Sequence, residues 1–167
     1  ILGMTEMAMS TEDAQVQKEY LSLARDSASH LLHIINQILD FSKIEAGALE
    51  LELLSVSPAQ LVRHTARSLE QLAQAKGIEL SVENAPMLAD LVWMDPVRVR
   101  QVLTNLIGNA IKFTEDGKIS VISKFSPTAQ ASTVRLEIAV TDTGIGFDAT
   151  RTDALFSPFT QADGSIT

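Results

Sequence analysis

Apolar residues recur every three and four positions from about residue 14 to residue 46. Leu21, Ala28 and Ile35 form one heptad series; Ala24, Leu31 and Ile38 form the other. That spacing predicts one long helix. Leu32 and Leu39 widen the stripe beyond a two-stranded seam, to the width met in a four-helix bundle. Residues 1–9 are helical in pattern as well. The turn "STED" at 10–13 reads as a cap, with Ser10 or Thr11 accepting from an orphan N–H and Asp13 in the first turn. Gly47 is a plausible helix stop. Two helices of one chain bury too little of such a stripe, so a homodimer through residues 1–46 is expected.

After Gly47 the period changes. "LELELLSV" at 49–56 alternates and reads as a short strand or linker, with Glu50 and Glu52 on its solvated face. Ser57-Pro58 marks a fresh helix, cap followed by first-turn proline, running to about Lys76 and stopping at Gly77. "IELSVE" at 78–83 and "LVWM" at 91–94 read as strands. Asp95-Pro96 opens a helix to about Phe113, and Asp116-Gly117 reads as a hairpin-type turn. "KISVISKF" at 118–125 and "TVRLEIAVTD" at 133–142 alternate as strands. Long helices followed by mixed elements predict an α+β chain of two units, 1–54 and 55–167.

Composition narrows the classes. The chain has 167 residues, 46% of them hydrophobic, enough for an ordinary core. A net charge of −8 argues against nucleic acid as a partner. With no cysteine there is neither a disulfide framework nor a thiol nucleophile. No apolar run approaches the roughly 20 residues of a membrane span, so no membrane contact by this chain is expected. The opening "ILGMTEMAMS" lacks a basic n-region and reads as the end of a helix rather than as a signal peptide.

Chemistry enters with "RVRQVLTNLIGNAIKFT" at 98–114. At 100° per residue, Arg98, Gln101, Asn105, Asn109 and Lys112 fall on one stripe about 80° wide. Val99, Leu103, Leu106, Ile107 and Ala110 take the opposite side. A polar stripe is ordinarily a solvated face. Two asparagines one turn apart, however, cost helix stability without return on a plain surface. Amide oxygens can ligate a hard cation such as Mg²⁺, and Lys or Arg can neutralise phosphate. A second feature, "DTGIGF" at 142–147, follows the last strand. A lone G-x-G is weak. Beside the stripe it completes a divided nucleotide site: amides, metal and cation for phosphates, with a carboxylate for an exocyclic amine and glycines beside a flat ring.

Here the chain resembles the histidine kinases of two-component signalling, within the larger Bergerat-fold ATPases. "DPVRVRQVLTNLIGNAIKFTEDGKI" resembles their N box, "VTDTGIGF" their G1 box and "LFSPFTQADGSIT" their F box, whose "FTQAD" wording is closest to hybrid kinases. "YLSLARDSASHLLHIINQILDFSKIEAGALELE" resembles the second helix of the dimerisation domain and its exit. The resemblance implies a helical-hairpin dimerisation unit followed by an α/β sandwich ATP-binding domain. It implies ATP and Mg²⁺ as cofactors, a response-regulator receiver domain as partner, and phosphorylation of a histidine for relay to an aspartate. By the same resemblance Asn109 ligates Mg²⁺, Lys112 meets the phosphates and Asn105 bonds in the phosphate and metal region. Asp142 takes the adenine amine, Gly144 and Gly146 line the ring, and Phe113 and Ile145 wall the pocket; Arg98 is a weaker phosphate-side candidate. In the hydrolytic relatives a glutamate at the Asn105 position activates water. An amide cannot act as a general base, which favours transfer over hydrolysis. The alternatives are an interaction module with an inactive nucleotide site and a Bergerat-fold ATPase.

The family's acceptor histidine lies in a box that would precede "ILGMTEMA", and its glycine-rich lid box would follow "SIT". No catalytic residue is therefore assigned within the chain. His30 and His33 lie outside the core heptad series and should face solvent, and His64 reads as a surface residue. The methionines and Trp93 are assigned to the core. A cytoplasmic location is expected, with a parent protein that can be anchored in the inner membrane.

Overall fold

The computed structural model describes residues 1–84, 91–130 and 132–146. It divides into two compact units, Ile1–Leu51 and Glu52–Thr167. The chain is α+β, a helical region followed by an α/β domain.

In the first unit, α1 (Leu2–Ser10) packs on α2 (Ala14–Glu45). The cap of α2 is Asp13, whose carboxylate accepts from Gln15 N and Val16 N. This corrects the expectation for Ser10 and Thr11. Thr11 Oγ1 does accept an N–H, but that of Asp13 itself at 3.3 Å, because it stands two residues too early to reach the helix. At the other end Gly47 has φ +63° and its N–H reaches Ile44 O, a left-handed stop that favours glycine. Gln17 Nε2 bonds Ala8 O at 2.9 Å, and Ala8 and Ala24 are buried. Leu21, Leu31, Leu32, Ile35, Ile38 and Leu39 all remain exposed. Met7 and Met9 are exposed too, contrary to their assignment to the core, since α1 has only α2 beside it within the unit.

The second unit begins with a ribbon. β1 (Leu54–Val56) pairs antiparallel with β3 (Val92–Met94). Only the last three residues of the alternating 49–56 stretch form strand. Trp93 pairs with Ser55 and is 73% exposed, not core, because both lie on the uncovered face of two strands.

α3 (Pro58–Ala75) and α4 (Pro96–Phe113) lie on a three-stranded sheet of order β2-β4-β5. β2 (Glu79–Asn84) runs parallel to β4 (Lys118–Pro127), and β5 (Val134–Asp142) runs antiparallel to β4. Alternation decides which face is covered: Ile119, Val121 and Ser123 of β4 are buried. Ile119 and Val121 meet Val62 and Ala66 of α3 and Leu103, Ile107, Ala110 and Ile111 of α4 in one core. Asp116-Gly117 is not a hairpin turn. It joins α4 to β4, whose antiparallel partner β5 comes later in the chain.

Candidate functional site

α4 starts on a firm cap. Asp95 Oδ1 accepts from Val97 N at 2.9 Å and Arg98 N at 3.0 Å, and Oδ2 accepts from Glu52 N at 3.1 Å. The Arg98 N–H is the largest influence holding this buried carboxyl below its ordinary value of 3.8; the Glu52 and Val97 N–H groups add to it and burial opposes them. Pro96 sets the first turn, as its missing N–H costs nothing there.

From that start the helix turns Leu103, Ile107, Ala110 and Ile111 into the core and leaves Asn105, Asn109, Lys112 and Phe113 exposed. Arg98 Nη1 donates to Gln101 Oε1 at 3.0 Å, so the head of the stripe is self-bonded. The side chains of Asn105 and Asn109 make no hydrogen bond to the described residues. Their amide oxygens are hard, uncommitted donors one turn apart, a set that fits a divalent cation such as Mg²⁺. The Lys112 ammonium lies 5.1 Å from the centroid of the Phe113 ring, within cation–π range.

Sheet register brings the second half to the first. Asp142 pairs with Ile119, which places it on the helix-covered face at the end of β5. The chain then folds back on itself: Gly144 N donates to Asp142 Oδ1 at 2.9 Å. Ile145 N donates to Phe113 O at 3.2 Å. Gly144 presses so closely on α4 that a Cβ there would stand 2.4 Å from Phe113 O. Gly146 has φ +64° and open space around it. Asp142 is exposed and Ile145 is 71% exposed. The last turn of α4 and the acid–glycine turn are thus one bonded surface.

Two features had no signal in local sequence. Thr143 N donates to Lys118 O at 3.2 Å and its Oγ1 accepts from Lys118 N at 3.1 Å. That hydroxyl fills the space where a Cβ on Gly117 would lie. The pair is 26 positions apart, and only the fold joins them. Leu106, assigned to the buried side, is 44% exposed. Its place at the margin of the polar stripe leaves it lining an open pocket of about 320 Å³ with Arg98, Val99, Val102, Leu103, Leu136 and Ile138.

Of the histidines, His30 and His64 are exposed as expected, and the side chain of His33 lies outside the described residues. The F-box-like segment 155–167 and Phe147 lie outside them too. Among the described residues no group of acidic or histidine side chains could hold a metal, and no helix is long and apolar enough to cross a membrane.

Comparison with known proteins finds two family models in tandem. Residues 1–47 match the His Kinase A (phospho-acceptor) domain, and residues 94–167 match the histidine kinase-, DNA gyrase B- and HSP90-like ATPase. The signal transduction histidine-protein kinase BarA of Escherichia coli K12 is 38% identical over 166 residues, covering 99% of this chain and 18% of that protein. The sensor histidine kinase GacS of Pseudomonas protegens is 42% identical over 167 residues, covering 99% and 18%. Among solved structures, full-length ShkA in complex with AMPPNP superposes with a TM-score of 0.77 at 34% identity, covering 98% of this chain and 34% of that one. The chain therefore spans under a fifth of the length of these two curated relatives.

Proposed function

The chain belongs to the histidine kinases of two-component signalling, and from that premise we propose that its second unit binds ATP with Mg²⁺ for phosphoryl transfer to a histidine. The observation that carries this reading is the 3.2 Å bond from Ile145 N to Phe113 O, which couples the amide-and-cation helix to the acid–glycine turn. Asp142 reads the adenine amine through the oxygen that Gly144 N leaves uncommitted. Gly144 and Gly146 let backbone pass beside the ring, while Phe113 and Ile145 wall it. Asn109, with Asn105 one turn earlier, holds the cation, and Lys112 meets the phosphates. A bound Mg²⁺ would neutralise phosphate oxygens and fix their orientation. The AMPPNP of ShkA supports the nucleotide class.

Two partners belong to the same reading. A second copy covers the exposed stripe of α2, and a response-regulator receiver aspartate takes the phosphoryl group in the complete protein. The nucleotide also suits a cytoplasmic setting. Hydrolysis is disfavoured by Asn105, which cannot activate water.

Titration calorimetry with AMPPNP, with and without Mg²⁺, tests the site. Binding should need Mg²⁺ and weaken at least tenfold in both Asp142→Asn and Asn109→Ala. If both variants bind as the parent does, the residue roles are wrong; if the parent binds nothing, the inactive-module alternative takes over.

A further inference from the structure

The proposed phosphate site stands at the wrong end of a helix. Asn109 and Lys112 occupy the last turn of α4, where unpaired carbonyls give a partial negative charge that repels phosphate. One side chain far away in sequence meets that end. Lys76 Nζ donates to Ile111 O at 2.8 Å and to Lys112 O at 3.2 Å. Phe113 O, the next carbonyl, takes Ile145 N. Three successive carbonyls are therefore satisfied, two by one ammonium and one by the acid–glycine turn.

We propose that Lys76 is a positioning residue of the nucleotide site, locking the last turn of α4 and offsetting its negative end so that phosphates can approach. The inference rests on the nucleotide reading given above. Lys76 reaches this place because it closes α3: its backbone N–H bonds Ala73 O, and Gly77 follows at φ +73°. The turn that ends one helix thereby delivers a cation to the end of the next. An ordinary C-terminal lysine serves its own helix; this one serves a neighbour 35 positions on. A charged donor shared by two carbonyls is among the stronger hydrogen-bonding arrangements.

The test compares a charged with an uncharged ligand. Lys76→Met should weaken Mg²⁺-AMPPNP about tenfold while changing adenosine binding less than about twofold, and Lys76→Arg should restore most of the loss. Hydrogen exchange at the Ile145 amide should also quicken in Lys76→Met, with the Leu103 and Ile107 amides unchanged. Equal weakening of both ligands, or unchanged AMPPNP binding where Asn109→Ala has lost it, overturns the proposal. If the parent chain binds no nucleotide, the nucleotide reading fails. In that case quicker exchange at Ile145 supports only the lock that Lys76 places on the last turn of α4, and unchanged exchange overturns that lock as well. Should Lys76→Met not fold, Lys76→Gln, which also removes the charge, takes its place in every arm.

Discussion

The two units carry equally clear helical patterns and treat them in opposite ways. In the first, Ala8 and Ala24 are the buried residues among those described, and the heptad leucines and isoleucines stand exposed, Ile35 at 43%. In the second, Val62, Leu103, Ile107, Ile119 and Val121 are sealed between two helices and a sheet. Hydrophobic periodicity says which face needs covering and is silent on what covers it. α4 finds its cover inside the chain. α2 has no cover of that size within its own unit, which is the physical argument for a second copy.

The strongest test of that contrast is in the second unit. Ile107→Ala should cost about 2–5 kcal/mol in urea denaturation, because the closed core cannot collapse fully around the missing atoms. The oligomeric state should not change. A cost near zero would mean that this core is loose and the contrast false.

Next in size, Ile35→Glu should raise the dimer dissociation constant by about two orders of magnitude, since an unpaired carboxylate would enter the bundle interior. Sedimentation equilibrium reads the effect. A parent chain that is monomeric at tens of micromolar would sink the dimer.

The smallest effect concerns the cap of α4. Asp95 has its carboxyl pKa held below 3.8 in the folded state, first by the Arg98 N–H. A depressed value means that its contribution is complete above 3.8 and fades as pH falls through the lower, folded-state value. Asn at this position can keep the Oδ1 cap, but its Nδ2 cannot accept from Glu52 N, so Asp95→Asn should lower stability at pH 7 and flatten the profile below pH 3.8. An unaltered acid limb in thermal melts would remove Asp95 from the account.

Much of this could be read in the sequence. The long helix of 14–46, the helix beginning at Asp95-Pro96 and the last two strands follow from period and punctuation alone, all of them local signals. The α4 stripe was legible for the same reason, since 100° per residue fixes which residues share a face. What stayed hidden depends on distant pairing. Trp93 looks like core until β3 is found, among the described residues, in a two-stranded ribbon. Leu106 looks buried until the open pocket against β5 is seen. The Gly117–Thr143 fit and the reach of Lys76 to α4 join segments more than 25 positions apart. No local pattern encodes either.

Amide chemical shifts followed during an Mg²⁺-AMPPNP titration report on both units at once, and decide whether the end of α4 and the acid–glycine turn form one nucleotide site. Large shifts are expected at Asn105, Asn109, Lys112, Phe113 and at Asp142 to Gly146, moving together with one affinity, and none along α2. Shifts confined to the pocket lined by Val102, Leu106 and Ile138, or movement of the helix end without the acid–glycine turn, would contradict that single site.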